Sequence, residues 1–266
     1  YLAQVSQKLI DYKDSYDLIL INMRGEAVFL PIAKLLNKPF VSVMHLNLFP
    51  ELAELFKTFK PNIITISNAQ RKEFPALNYL ATVYNCVDVK KFSFNPNPKD
   101  YLLMMGTIGR HKNQKEAIAV AKELGMKLIL AGKIRDQDYF EELKKDIDGE
   151  QIKYLSEIGF EEKLKLYQNA KAFIFPINWE EPFGLVMIEA MSCGTPVVAL
   201  NRGAVIEVLR DNLTGYIVDN HSQMLEAVKK IDSINREACR KHVEENFSVS
   251  KMVDSYEHTL LSLGNK

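Results

Sequence analysis

The segment Glu180-Glu181-Pro182-Phe183-Gly184-Leu185-Val186-Met187-Ile188-Glu189-Ala190-Met191-Ser192-Cys193-Gly194-Thr195-Pro196-Val197-Val198-Ala199 constrains the fold of this chain more than any other. Pro182 and Gly184 punctuate a loop, an apolar run broken only by Glu189 predicts a helix as far as Ser192, and Gly194 and Pro196 flank a turn. Residues 195–199 then have the β-branched, apolar character of a strand covered on both faces. Strands of this kind, separated by helices, make a parallel sheet.

The same alternation runs along the chain. Strands are expected at 18–21, 40–43, 62–66 and 81–84, with a helix over 26–36. After Asn95-Pro96-Asn97-Pro98 come strands at 101–105, 127–131, 152–155, 172–175 and 195–199, with helices at 114–124, 138–147 and 161–169. Each proline biases its predecessor away from helix, which places a linker there. The expected division is 1–95, 96–247 and a last helix within 248–266. The fold class is therefore α/β, with two Rossmann-like parallel-sheet domains whose ligand sites lie at the carboxyl ends of the strands. A chain of 266 residues has room for both.

Composition removes other classes. The 34 basic residues cancel the 34 acidic ones, so charge gives no argument for a nucleic-acid partner. No apolar run is long enough for a membrane span. Three cysteines without paired or metal-like spacing point to reduced thiols and a cytoplasmic location. The pairs Asp136/Asp138 and Asp146/Asp148 match an Asp-x-Asp metal pattern, but neither follows a buried strand, and no metal site is expected.

Glu189 is the anomaly in the organising segment, because a carboxylate in an apolar helix must be hydrogen-bonded to offset its desolvation. It is either half of a buried salt bridge or part of a ligand site. With the helix starting near Gly184, the amides of Leu185 and Val186 form an anion site at the positive end of the helix dipole. Gly184 permits close approach of a ligand, Glu181 precedes that site, and Glu189 shares a helix face with Leu185. A second phosphate-binding candidate is the strand-to-helix loop Gly106-Thr107-Ile108-Gly109-Arg110-His111-Lys112-Asn113, with two cations and no dinucleotide fingerprint. His45 stands at another strand end, after Val43.

These residues resemble the retaining nucleotide-sugar glycosyltransferases of the GT-B fold, the glycosyl transferases group 1, which carry a Glu-x7-Glu motif. Glu181 and Glu189 have that spacing, the flanking Glu-Pro-Phe-Gly-Leu, Glu-Ala-Met and Cys-Gly-Thr-Pro-Val-Val match, and the likeness continues through Glu207 and Leu213-Thr214-Gly215-Tyr216. Two positions depart from the family. Thr107 stands where an arginine is usual, leaving Arg110 as the nearby substitute, and Cys86 stands where a glycine is usual.

The resemblance implies two domains facing a cleft, the first lacking its start, including a glycine-rich loop that approaches the acceptor. The last helix would return to the first domain. It implies transfer of a sugar from a UDP- or GDP-linked donor, with retention, to an acceptor sugar, lipid or small molecule. No cofactor is implied, and contact with a membrane surface is compatible. Glu181 would serve the sugar and the reacting centre, and His45 would face the donor sugar. Arg110, Lys112, Phe183, Gly184, Leu185, Val186 and Glu189 would bind the donor, Glu189 through the ribose hydroxyls. The alternatives are a nucleotide-sugar epimerase of the same fold, which would need acid and base residues beyond His45, and a nucleotide-sugar-binding fragment without catalysis.

Overall fold

The computed structural model describes residues 1–264; the last two positions of the expected 248–266 segment lie outside the described residues. Contacts divide the chain into two units, one formed by Tyr1–Asn85 with the chain from Met252 on, the other by Cys86–Lys251.

The first unit holds a four-stranded parallel sheet in the order β1-β2-β3-β4: Ile19–Ile21, Phe40–Met44, Asn62–Thr65 and Tyr79–Thr82. Its helices are α1 (Leu2–Asp11), α2 (Leu30–Leu36) and α3 (Pro50–Phe59). Every residue of β2 is buried, as a central parallel strand requires. Phe29, Ala53, Phe56 and Ile63 close the core beside it. The helix expected over 26–36 is split into a 3-10 turn, Glu26–Phe29, and α2, because Pro31 cannot donate in the first turn. Strand β4 begins two residues earlier than the sequence pattern suggests. It is a half-buried edge strand whose register slips between Ile63 and Ile64, so burial imposes no clear period on it.

The second unit holds a six-stranded parallel sheet made of β5 (Tyr101–Met105), β6 (Lys127–Ala131), β7 (Ile152–Leu155), β8 (Ala172–Phe175), β9 (Val197–Leu200) and β10 (Gly215–Val218). The order is β10-β9-β8-β5-β6-β7. Its helices are α4 (Gln114–Glu123), α5 (Gln137–Lys144), α6 (Phe160–Asn169), α7 (Leu185–Ser192), α8 (Val205–Val208), α9 (His221–Lys229) and α10 (Arg236–Asn246). Strands β5 and β8 are buried throughout. Strand β9 starts at Val197 rather than Thr195 because Pro196 has no amide to donate; its carbonyl instead accepts from Phe173. The last helix, α11 (Val249–Gly264), begins with the second unit and belongs to the first from Met252 on.

The contact boundary at Asn85/Cys86 lies ahead of the proline segment at 95–98. The intervening stretch is hydrogen-bonded to the second unit: Val87 N to Phe247 O at 3.0 Å, Arg240 to the carbonyls of Val89 and Phe92, and Asn95 N to Cys193 O at 3.1 Å. Cys86 is not among the residues with positive φ, so this turn does without the glycine conformation.

Candidate functional site

In the six-stranded sheet, β5 leads outward to β6 and β7, whereas β8 lies on its other side and leads to β9 and β10. The carboxyl ends of β5 and β8 therefore flank a topological switch point, where open α/β sheets bind ligands. Strand β5 runs into the loop 106–113 and α4, and β8 into the loop 176–184 and α7. The loops are stitched together: Asn178 N donates to His111 O at 2.8 Å and Asn113 Nδ2 to Pro176 O at 3.0 Å.

Glu181 sits at their meeting point and is buried. Its Oε2 accepts from the Lys112 ammonium at 3.0 Å and from the Trp179 indole N–H at 3.0 Å. Lys112 also stands 5.0 Å from the Trp179 ring centroid and 5.8 Å from that of Phe175. The His111 imidazole meets Trp179 edge to face at 5.5 Å. Burial, then the neighbouring Lys112 charge, lowers the pKa of His111.

A third loop, following β9, supports the backbone. Gly203 N donates to Glu180 Oε2 at 2.8 Å and Ala204 N to Glu181 O at 2.9 Å. Gly203 has φ +57°, and a Cβ there would lie 2.3 Å from Glu181 O, so only glycine fits. Gly184, with φ +92°, stands at the entry to α7, and an added Cβ would fall 3.6 Å from Glu181 Cγ. Glu181 thus lies beside the helix start, where the Leu185 and Val186 amides have no intrahelical acceptor.

The other expected residues have separate surroundings. Glu189 accepts from Lys163 Nζ at 2.7 Å and, on its other oxygen, from the Tyr167 hydroxyl at 2.9 Å. Both partners lie on α6, so the salt bridge considered for Glu189 is present. Lys163 rests over the rings of Phe92 and Phe160, and burial followed by the Glu189 charge raises the Tyr167 pKa well above its ordinary value. Tyr167 is therefore a donor to Glu189 throughout the physiological range. Arg110 is turned to α5, with Glu142 at 3.3 Å, Asp136 at 3.6 Å and the Tyr139 ring at 5.2 Å. Phe183 is buried against Phe247, ring centroids 5.7 Å apart, leaving only its backbone for a ligand.

Three aspartates of the two Asp-x-Asp patterns serve the local fold. Asp136 caps α5, Asp146 pairs with Lys122, and Asp148 accepts from three successive amides.

His45 belongs to the first unit. It follows β2, its Nε2 is 2.9 Å from Asn22 Oδ1, and burial lowers its pKa, which favours the neutral ring. It lines a cavity of about 460 Å³ at the carboxyl ends of β1 and β2, with Arg24, Glu26, Asn47 and Phe49. The structure thus brings Lys112, Glu181 and Gly184 together, while Arg110 and Glu189 have partners of their own. The motif pattern did not signal Trp179, Lys163, Tyr167 or Gly203. Trp179 could have been noticed as the sole tryptophan, two residues before Glu181; Lys163 looks like any helix-surface lysine.

The profile of the family described as glycosyl transferases group 1 matches residues 88–247, spanning both loops, α7 and Gly203. The chain belongs to this family. An uncharacterised 41.2 kDa protein in the cps region of Klebsiella pneumoniae is 29% identical over 199 residues, covering 67% of this chain and 54% of that protein. The chain spans about half the length of the curated relatives it matches. Among solved structures, Anabaena HepE in complex with UDP and glucose has a TM-score of 0.84 at 21% identity, covering 98% of this chain and 82% of that one. Sucrose-phosphate synthase from Thermosynechococcus elongatus has a TM-score of 0.81 at 18% identity, over 99% of this chain and 78% of the other. At these identities the likeness establishes the fold: two Rossmann-like parallel-sheet units, as in glycosyltransferases of GT-B type.

Proposed function

We propose that this chain carries the donor site of a glycosyltransferase that moves a sugar from a nucleoside diphosphate to an acceptor with retention of configuration. The carrying observation is the Lys112–Glu181 pair at the switch point, beside the start of α7. The breaking bond leaves negative charge on the diphosphate. The Lys112 ammonium and the Leu185 and Val186 amides supply fixed positive charge for it. Glu181 Oε1 has no hydrogen-bond partner among the described residues, and is the acceptor offered to a sugar hydroxyl.

A carboxylate has about four acceptor sites. Lys163 and Tyr167 take two of those on Glu189, and the remainder serve the ribose hydroxyls. Arg110, engaged by α5, is a weaker candidate than Lys112 for the diphosphate. For His45 the proposal is a hydrogen bond to a sugar hydroxyl by a neutral imidazole. Complexes of HepE with UDP and with UDP-glucose support a UDP-linked donor. Retention rests on the likeness of the Glu181 to Glu189 segment, and metal independence on the positive charge that Lys112 and the helix start already provide.

The cytoplasmic assignment draws on the free thiols of Cys86, Cys193 and Cys239. Among the described residues no helix is long and apolar enough to cross a membrane. The functional test is calorimetric titration with UDP, GDP and ADP and with a sugar conjugate of each. One diphosphate is expected to bind, more weakly in Lys112→Met. A chain that binds none of the six overturns the reading.

A further inference from the structure

We propose that Trp179 is a positioning residue that holds Glu181 in place for the donor sugar when the diphosphate claims Lys112. The inference rests on the reading of Glu181 as the sugar contact. Trp179 is the only tryptophan of the chain, and its indole touches Glu181, Lys112 and His111 at once. It is partly buried, with its N–H on a carboxylate and its ring against the opposite loop, not sunk into the core.

The hydrogen bonds give this contact its meaning. Two donors, the Lys112 ammonium and the indole N–H, converge on Glu181 Oε2, both at 3.0 Å. That arrangement fixes the rotation of the carboxylate and leaves Oε1 without a partner among the described residues. An ammonium is a mobile point charge on a flexible stem, and a bound diphosphate competes for it. An indole N–H is a donor only, cannot accept from a sugar hydroxyl, and sits on a planar ring whose direction is set by packing. Once Lys112 shares its charge with phosphate oxygens, the indole is the donor still dedicated to Oε2. The ring face, 5.0 Å from Lys112, also holds the cation beside the carboxylate.

The test uses Trp179→Phe, which retains an aromatic face and removes the N–H. The probes are the nucleoside diphosphate and sugar conjugate that bind most tightly in the titration above. Calorimetry should show unchanged affinity for the free diphosphate and an about ten-fold loss for the conjugate, the order of one hydrogen bond to a charged group. In a Glu181→Gln background the same substitution should add almost nothing, because residues acting through one another are non-additive. In the wild type, Trp179 fluorescence should change on titration with the conjugate.

Equal losses for both ligands with a lowered melting temperature would mean a merely structural indole and overturn the proposal. So would an unchanged affinity for the conjugate, or a full effect of Trp179→Phe in the Glu181→Gln chain. If the wild-type chain binds neither probe, the functional reading falls and this proposal falls with it. Conjugate binding that is indifferent to Trp179 removes the proposal alone.

Discussion

Glu189 has both a structural and a ligand role in this reading, and Glu189→Gln separates them. The replacement keeps an acceptor for the Tyr167 hydroxyl but sets an amide or a neutral oxygen against the Lys163 ammonium, 2.7 Å away in the wild type. A fully buried pair costs about 3–5 kcal/mol to break and an exposed one about 0–1. The side chains are 26% and 16% exposed for Lys163 and Glu189, and about 1–2 kcal/mol is expected between those limits. At about 2–4 °C per kcal/mol for a unit of this size, the melting temperature should fall by about 2–8 °C. Loss of a charged acceptor for the ribose costs a further 1.5–3 kcal/mol or so, an about ten- to hundred-fold loss of nucleoside diphosphate affinity.

Lys163→Met supplies the control, since it breaks the same ion pair and removes no group assigned to the ligand. It should melt like Glu189→Gln but bind the nucleotide substantially better. Scanning calorimetry and titration calorimetry on the two variants give both numbers. A folded Glu189→Gln chain with wild-type nucleotide affinity refutes the ribose assignment, and equal affinity losses in the two variants reduce Glu189 to a structural partner of Lys163.

Other outcomes follow from the same geometry. Gly203→Ala forces a Cβ against Glu181 O and should destabilise the second unit by about 1–3 kcal/mol, read as a drop in melting temperature with loss of conjugate binding. Nucleotide binding by the wild type should survive EDTA, and strict dependence on Mg²⁺ or Mn²⁺ contradicts the use of Lys112 and the α7 start. The His221 imidazole lies between Glu123 and Glu116, which raise its pKa above the ordinary 6.5. Its contribution to stability is thus present below the unfolded value and lost as pH rises through the folded one. His221→Gln should flatten the fall in melting temperature above about pH 6.5 relative to wild type, without altering nucleotide affinity at pH 8.

The sequence by itself determined what depends on neighbours along the chain. Continuous apolar runs such as those at β5 and β8 announced buried parallel strands, because a strand covered on both faces needs apolar residues at every position. Gly184 ahead of an apolar run announced a helix start, and the spacing of Glu181 and Glu189 placed one carboxylate before it and one along it. Boundaries slipped where burial gave little guidance, as at edge strand β4, and where a proline interrupted the period, as at α2 and β9; α5 also ends three residues short of the expected 147.

Only the tertiary structure decided which charges meet. Lys112 and Glu181 are 69 residues apart and become neighbours because β5 and β8 pair at the centre of the sheet. The same folding turns Arg110, two residues from Lys112, toward α5, and gives Glu189 a lysine from α6. A lysine has the same local signature whether it is solvated, paired or waiting for a phosphate. Its role is set by the strand order, and that order is a property of the packed sheet rather than of any segment within it.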